Sequence, residues 1–188
     1  MKQTLLNVII MAAGKGTRMK SKTPKVLQRL GGKPLVQHVL ETAQSLGAQQ
    51  TVVVTGHEAE VVESALANMA PVQAKQDKTS QLVKAIQTVR QMPQLGTGHC
   101  VQQAAPCLPD DESVTLILSG DVPLTKPDTL KALIAQCAGQ HLALLTIRFD
   151  DPTGYGRIVR HALGEQVAAI VEHKDASPEQ RAIHECYS

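Results

Sequence analysis

The sequence predicts an α/β protein with a mostly parallel sheet flanked by helices. Short apolar runs alternate along the chain with longer segments in which apolar residues recur at helical spacing. The first run, residues 5–11, is almost continuously apolar, as is typical of a strand buried on both faces of a parallel sheet. Segments rich in glycine and charged residues follow predicted strands, at the edge where open α/β sheets bind ligands.

The first half of the chain predicts the order strand, helix, strand, helix. After the first strand, Pro34 favours the start of a helix whose apolar stripe continues until Gly47 provides a stop. Residues 51–55 carry consecutive β-branched side chains and predict the second strand. Residues 58–69 predict the second helix, because acidic side chains near its start favour the positive end of the helix dipole.

The second half continues this alternation. Residues 78–90 present an amphipathic stripe that Pro93 ends, so we expect a further helix there, inserted at the surface. The remaining predicted helices cover residues 99–107 and 127–138, and the remaining predicted strands cover residues 114–118, 142–147, 156–159 and 167–171.

Length and composition limit both the organisation and the function. A chain of 188 residues has the usual size of one domain, so we expect a single domain over residues 1–188. The net charge is +2, from 19 basic and 17 acidic residues without long single-sign runs, and only 2% of residues are aromatic. Nucleic-acid binding is disfavoured, because the basic residues form no long runs along the sequence and there are too few aromatic residues for base stacking.

The sequence also favours a soluble, cytoplasmic protein. Its four cysteines are widely separated and form no C-x-x-C pair, so we expect free thiols in a reducing compartment. The N-terminal apolar stretch is short and runs directly into a Gly/Lys/Arg segment, unlike a signal peptide or a membrane span. We therefore expect no membrane partner.

A glycine-rich loop at residues 12–19 follows the first predicted strand. Its sequence, AAGKGTRM, allows backbone N–H groups to turn toward a phosphate, while Lys15 and Arg18 supply positive charge. It does not match a P-loop, and it does not match a dinucleotide fingerprint because Met19 stands where a third glycine is needed. A simple structural turn is the alternative interpretation.

Two further charged residues follow at positions that suit this loop. Lys25 comes after Pro24, whose ring stiffens the backbone and can hold the ammonium group at a fixed distance from the loop. Asp121, in the segment Ser119-Gly120-Asp121, comes directly after a predicted strand, where one carboxylate suits Mg²⁺ held against nucleotide phosphates. The alternatives are a solvated surface lysine and an Asx turn.

Other candidate chemistry finds less support. His57 and His99 have no partner at metal-ligand spacing, so hydrogen-bonded structural histidines are favoured over ligands or bases. Ser119 lacks the G-x-S-x-G context of a hydrolase nucleophile.

Four blocks of sequence carry a family resemblance. They are residues 12–19 with Pro24-Lys25, residues 94–99 (QLGTGH), residues 120–123 (GDVP), and residues 151–158 (DPTGYGRI) leading to residues 171–176 (VEHKDA). In this order and at comparable spacing they resemble the N-terminal uridyltransferase domain of the bacterial bifunctional N-acetylglucosamine-1-phosphate uridyltransferase / glucosamine-1-phosphate acetyltransferase. The resemblance covers nearly the whole chain and implies a Rossmann-like nucleotidyltransferase fold.

The resemblance also implies a reaction and a location. Such a domain condenses UTP with N-acetylglucosamine 1-phosphate to UDP-N-acetylglucosamine and pyrophosphate. It uses Mg²⁺ and acts in the cytoplasm, for the synthesis of peptidoglycan and lipopolysaccharide precursors. The sugar phosphate attacks the α-phosphorus of UTP in line, so catalysis would consist of positioning and of neutralising negative charge.

Roles for individual residues follow from the resemblance. Arg18, Lys25 and Asp121 are expected at the reacting phosphates, with Asp121 as the ligand of Mg²⁺. Gly156 and Glu172 are expected to bind the N-acetylglucosamine moiety. The other expected substrate-binding residues are Met11, Ala12, Ala13, Gly14, Ser119 and Gly120, together with Gln91, Gly96 and Thr97, which would contact uracil and ribose.

The chain departs from the family pattern in three places. The region at residues 75–90 is longer by about one helix, and Tyr187 stands where the family has a sugar-binding asparagine. The chain ends at Ser188. We therefore expect an incomplete nucleotidyltransferase domain, without its second metal-ligand asparagine and without the β-helix acetyltransferase domain that makes full-length members trimeric. A monomer with low activity is the corresponding expectation.

Two other functions stay open on the sequence. A truncated, noncatalytic module would bind UDP-sugars without releasing pyrophosphate. A nucleotidyltransferase for another sugar phosphate would share only the glycine-rich loop, and the blocks at residues 154–156 and 172–175 argue against it.

Overall fold

The helices and strands alternate along the first part of the chain, as expected. The structure, a computed structural model, describes residues 5–16, 19, 21–69, 86–137, 141–161 and 166–187. The strands are β1 (Leu6–Met11), β2 (Arg29–Leu30), β3 (Lys33–Pro34), β4 (Gln50–Thr55), β5 (Gln87–Arg90), β6 (Val114–Ser119), β7 (Thr146–Arg148), β8 (Arg157–Arg160), β9 (Val167–Val171) and β10 (Glu185–Tyr187). The helices are α1 (Leu35–Ser45), α2 (Ala59–Met69), α3 (Thr97–Ala104), α4 (Pro127–Cys137) and α5 (Pro178–Arg181), with 3-10 turns at Lys25–Leu27 and Ala105–Cys107.

A four-stranded parallel sheet forms the centre of the first of two compact units, residues 1–139. Its strand order is β5-β4-β1-β6, and every neighbouring pair is parallel. The inner strand β1 is buried on both faces because successive side chains point to opposite sides. Val8 and Ile10 pack in the core cluster that α1, α2 and α4 cover, while Ile9 packs in the cluster that α3 covers.

The helices α1, α2 and α4 lie where the sequence predicts them, whereas α3 begins at Thr97 and ends at Ala104 instead of covering residues 99–107, and α5 was not predicted. In α1 the buried residues recur at helical spacing, and Gly47, with a φ of 75°, follows its last turn. The predicted α/β fold with a parallel sheet flanked by helices is therefore confirmed. In the part of the chain that the structure describes, no helix is both long enough and apolar enough to cross a membrane.

One predicted helix is wrong where it can be compared with the structure. Residues 78–85 lie outside the described residues, but Gln87–Arg90 form the edge strand β5 instead of the end of a helix. This strand pairs in parallel with β4 from Gln87 to Arg90. The helical pattern that includes Val89 does not determine the structure here, because a strand gives β4 a hydrogen-bonded partner. As part of this strand, Val89 packs against the core.

The second compact unit, residues 140–188, contains an antiparallel sheet of order β7-β10-β8-β9. The predicted strands at residues 156–159 and 167–171 correspond to β8 and β9, whereas β7 begins only at Thr146. The short helix α5 starts with a capping box in which Ser177 and Gln180 satisfy each other's backbone N–H groups. That residues 1–188 make up one nucleotidyltransferase domain stays a prediction.

Candidate active site

A cavity of about 530 Å³ opens at the carboxyl ends of the parallel strands, the edge at which the sequence places the ligand. It brings together ten of the predicted site residues: Met11, Ala12, Ala13, Gly14, Lys25, Gln91, Gly96, Thr97, Ser119 and Asp121. Gly120 stands directly behind this lining, since its N–H donates to the carbonyl oxygen of Met11 at 2.9 Å. Arg18 lies outside the described residues.

The glycine-rich loop lines this cavity with Gly14 and Gly16. Among the described residues, no hydrogen bond engages the backbone N–H groups of Gly14, Lys15 or Gly16. Gly16 has a φ of 56°, and a Cβ atom there would lie 3.0 Å from Cβ of Lys25. Glycine is thus required both for the left-handed turn and for the close approach to the lysine. Free N–H groups beside a lysine are suited to bind phosphate oxygens.

Lys25 and Asp121 form an ion pair on the cavity lining. Lys25 is placed by Pro24 and the 3-10 turn that follows it, and Asp121 is placed by the end of β6. The glycine between β6 and the aspartate allows the two strand ends to approach, because a Cβ at Gly120 would lie 3.1 Å from the carbonyl oxygen of Met11. The 3-10 turn and the end of β6 therefore set one positive and one negative charge side by side.

The donor set fits Mg²⁺ that arrives with a nucleotide. No group of three or more His, Cys, Asp or Glu side chains within the described ranges is arranged to hold a metal ion. Mg²⁺ is usually held by one or two carboxylates while phosphates and waters complete its octahedral shell. Asp121 is a single carboxylate on the cavity lining, which matches that pattern of binding.

A second wall of the cavity is built from the segment between β5 and α3 and from the first turn of α3. Gln91 is buried, and its Nε2 donates to the carbonyl oxygen of Gly96 at 2.8 Å. Gln94, which the sequence analysis did not single out, donates from Nε2 to the carbonyl oxygen of Ala13 at 2.8 Å. This bond ties the wall to the glycine-rich loop. The only signal in the sequence for this role of Gln94 was that it lies two residues before Gly96, inside one of the four resemblance blocks.

Four other lining residues were also missed as site residues: Gly16, Met19, Val26 and Cys100. Burial raises the pKa of the Cys100 thiol to about 11, which disfavours the thiolate form that a nucleophile requires. Of the two histidines set aside, His57 donates its backbone N–H to Ala13, while the ring of His99 contacts the side chains of Gln91 and Gln103.

The second unit holds the two residues expected at the sugar. Gly156 is buried, and a Cβ atom at this position would collide with the ring of Tyr187. The hydroxyl of Tyr187 donates a hydrogen bond to the carboxylate of Glu172. This bond, followed by burial, raises the pKa of Tyr187 to about 12. Tyr187 thus contacts both expected sugar-binding positions at once.

Comparison with known proteins finds relatives that match nearly the whole chain. The "Bifunctional protein GlmU" of Polaromonas naphthalenivorans is 60% identical over 185 residues, which are 97% of this chain and 37% of that protein. The protein of the same name from Acidovorax sp. strain JS42 is 59% identical over 185 residues, 98% of this chain and 37% of its own length. The chain therefore spans about 37% of the length of these relatives.

A solved structure and a family model extend the comparison. The structure of a UDP-glucose pyrophosphorylase complexed with UDP-glucose shares the fold with a TM-score of 0.70, at 19% identity, over 97% of this chain and 74% of that chain. The sequence model of the MobA-like NTP transferase domain matches residues 8–185. The resemblance drawn from the four sequence blocks is thereby confirmed. The chain belongs to the MobA-like NTP transferase domain family.

Proposed function

We propose that this chain transfers a uridylyl group from UTP to N-acetylglucosamine 1-phosphate, with UDP-N-acetylglucosamine and pyrophosphate as products. The observation that carries the proposal is the Lys25–Asp121 pair beside the unpaired N–H groups of the glycine-rich loop, inside a cavity large enough for a nucleotide. Family membership supports the class of reaction. The sequence blocks that resemble uridyltransferases support the choice of substrates.

The reaction needs positioning and charge compensation rather than a covalent intermediate. A phosphate oxygen of the sugar phosphate forms the new bond to the α-phosphorus of UTP while the bond to the leaving pyrophosphate breaks. Lys25 would stabilise the negative charge on the reacting phosphates through its ammonium group. The N–H groups of Gly14, Lys15 and Gly16 would donate to phosphate oxygens, and Arg18 is proposed to add positive charge there.

Asp121 has two functions in this proposal. It would hold Mg²⁺, which would supply positive charge to offset the negative charge on the reacting phosphates. Through its ion pair it also holds the Lys25 ammonium group at the cavity. Gln91, Gly96 and Thr97 would contact uracil and ribose, and Gly156 and Glu172 would bind the N-acetylglucosamine moiety. The product would serve the cytoplasmic synthesis of peptidoglycan and lipopolysaccharide precursors.

The direct test is pyrophosphate release from UTP and N-acetylglucosamine 1-phosphate in the presence of Mg²⁺. We expect release that depends on the N-acetyl sugar, with glucose 1-phosphate as the control substrate. We also expect Asp121→Ala to abolish release. If the chain binds UDP-N-acetylglucosamine but releases no pyrophosphate, it is a noncatalytic binding module instead.

A further inference from the structure

A buried guanidinium lies in the antiparallel sheet of the second unit. Arg157 is the first residue of β8 and is 1% exposed. Its Nη1 donates to the carbonyl oxygen of Tyr155, its Nε and Nη2 lie 3.4 Å and 3.3 Å from the carbonyl oxygen of Arg181, and its Nη2 also lies 3.3 Å from Nδ1 of His173. Among the described residues, no carboxylate forms a salt bridge with Arg157. The charge is therefore held by neutral backbone acceptors and by an imidazole.

The contact with His173 assigns the tautomer of that histidine. The nitrogens of an arginine only donate, so Nδ1 of His173 must accept the hydrogen bond from Nη2 of Arg157. A neutral imidazole has one acceptor nitrogen, and its proton therefore lies on Nε2. A protonated imidazole has no acceptor and would bring a second positive charge beside the buried guanidinium. The contact thus requires a neutral His173 in its Nε2–H form.

The strand register places the two residues expected at the sugar beside this network. Arg157 pairs with Val171 in the antiparallel ladder between β8 and β9. The same register carried one residue further brings Gly156 opposite Glu172. Gly156 directly precedes Arg157 in the sequence, and Glu172 directly precedes His173. The guanidinium and its imidazole partner are therefore attached to the two positions that face each other at the end of the ladder.

We propose that Arg157 is a positioning residue for the sugar, which connects the loop before β8, the turn after β9 and the end of α5 and so fixes the distance between Gly156 and Glu172. An N-acetylated sugar offers hydroxyl and amide groups at fixed spacing, so a change in this distance weakens its binding. Arg157 acts through these two residues and does not contact the sugar itself, because its side chain is buried. The inference rests on the proposed function in assigning Gly156 and Glu172 to the N-acetylglucosamine moiety.

The test compares the affinities for UDP-N-acetylglucosamine and UDP, because their ratio isolates the contribution of the sugar. Both affinities are measured by calorimetry on the whole chain. Arg157→Lys keeps the positive charge, but a compact ammonium group lacks the planar fork that reaches all three segments. We expect this variant to lower the affinity ratio about tenfold, while the affinity for UDP stays at its parent value. Arg148→Lys, at an exposed arginine of β7, is the matched control and should leave the ratio unchanged.

A second variant removes one partner of the guanidinium and leaves Arg157 in place. His173→Phe keeps a ring at this half-buried position and removes the Nδ1 acceptor, so we expect a smaller fall in the same ratio, about threefold. Long-range ¹H–¹⁵N spectra of the ligand-free chain should show His173 in the Nε2–H form, with its signals identified by their loss in His173→Phe.

The outcomes separate this inference from the proposed reaction. An unchanged affinity ratio in Arg157→Lys overturns the inference even where a thermal melt shows lost stability, because an arginine with a structural role alone gives that result. An Nδ1–H tautomer of His173 overturns it as well, and so do equal affinities for the two ligands in the parent chain. If Arg157→Lys fails to fold, the ratio in His173→Phe decides. A ratio that falls as expected in a chain that releases no pyrophosphate contradicts the reaction and leaves the inference in place.

Discussion

At the residue scale, Lys25 is the side chain whose loss should separate catalysis from binding. Its side chain is 42% exposed and its ion pair with Asp121 contributes little to stability, as is usual for exposed pairs. We therefore expect Lys25→Ala to fold normally, to lose pyrophosphate release, and to bind UTP only modestly less tightly. Pyrophosphate release and calorimetric UTP titration measure the two effects.

The matched control for Lys25 is Lys15, an exposed lysine of the glycine-rich loop that does not line the cavity. Lys15→Ala removes the same charge and should affect turnover far less. Turnover by Lys25→Ala at the parent rate would remove Lys25 from the mechanism.

Tyr187 is the second residue with a measurable role, because its hydroxyl occupies the carboxylate of Glu172. Tyr187→Phe keeps the ring over Gly156 but frees this carboxylate for sugar hydroxyls. We expect tighter binding of N-acetylglucosamine 1-phosphate, measured by calorimetry. Weaker binding would mean that the tyrosine hydroxyl itself contacts the sugar.

The state of Tyr187 can be verified independently of any ligand. The protein has two tyrosines, so Tyr155→Phe leaves Tyr187 as the single phenol in an absorbance titration. Its pKa should be near 12, and Glu172→Gln should lower that pKa toward the ordinary value, since the carboxylate acceptor is its main cause.

At the scale of elements, Gly56 is where the end of β4 meets the glycine-rich loop. A Cβ atom there would lie 2.8 Å from Cβ of Ala13 and 2.7 Å from Nε2 of Gln94. Gly56→Ala should therefore displace the loop, destabilise the fold by about 1–3 kcal/mol and weaken UTP binding. The control is Gly98→Ala in α3, where a Cβ atom meets nothing within 4 Å, so its stability should not fall and should rise by at most about 1 kcal/mol. Denaturant unfolding measures the free energy of unfolding of both variants. Equal values would show that the glycine-rich loop accommodates the added methyl group without loss of stability.

The stability of the antiparallel sheet should fall in acid because of Glu185. Arg160 donates two hydrogen bonds to this carboxylate, and they, with a smaller contribution from Thr146, lower the pKa of Glu185 to about 2. A lowered pKa in the folded state means that the stabilisation is complete above the ordinary pKa of 4.5 and is lost as the pH falls toward 2. We expect unfolding curves between pH 5 and about 2 to show this loss in the parent chain.

Arg160→Met should remove most of that pH dependence, because it removes the main cause of the lowered pKa. Arg148→Met, which affects the same carboxylate only through charge, should keep most of it. Unfolding curves of both variants between pH 5 and about 2 measure this difference. An equal pH dependence in the two variants would mean that the Arg160 hydrogen bonds are not the main cause.

The elements also show where sequence analysis succeeds and fails. The strand β1 and the helices α1, α2 and α4 were predicted because their apolar period is long and their ends carry proline, glycine or acidic residues. Strand β5 was mistaken for part of a helix, because four residues are too few to show the alternating pattern of a strand. Its pairing partner β4 lies more than thirty residues away in the sequence, so nothing local indicates the pairing.

At the scale of the whole molecule, the proposed roles divide between the two compact units. Gln91 lies in the first unit and Glu172 in the second. We expect Gln91→Ala to weaken UTP binding while leaving the affinity for N-acetylglucosamine 1-phosphate near its parent value. Glu172→Gln should do the reverse. Separate calorimetric titrations of each substrate measure this division, and a parallel loss of both affinities in either variant would contradict it.

The sequence by itself determined the order of the main elements, the buried central strand and the loop, lysine and aspartate of the candidate site. These features are encoded locally, in periodicity and in the glycine, proline and charged residues at strand ends. Only the tertiary structure decided that β5 joins the sheet, that Gln94 ties the far wall to the loop, that His99 contacts Gln91 and that Tyr187 engages Glu172. Each of these contacts joins side chains or strands that only the packing of the chain brings together. Local sequence propensities therefore do not predict them.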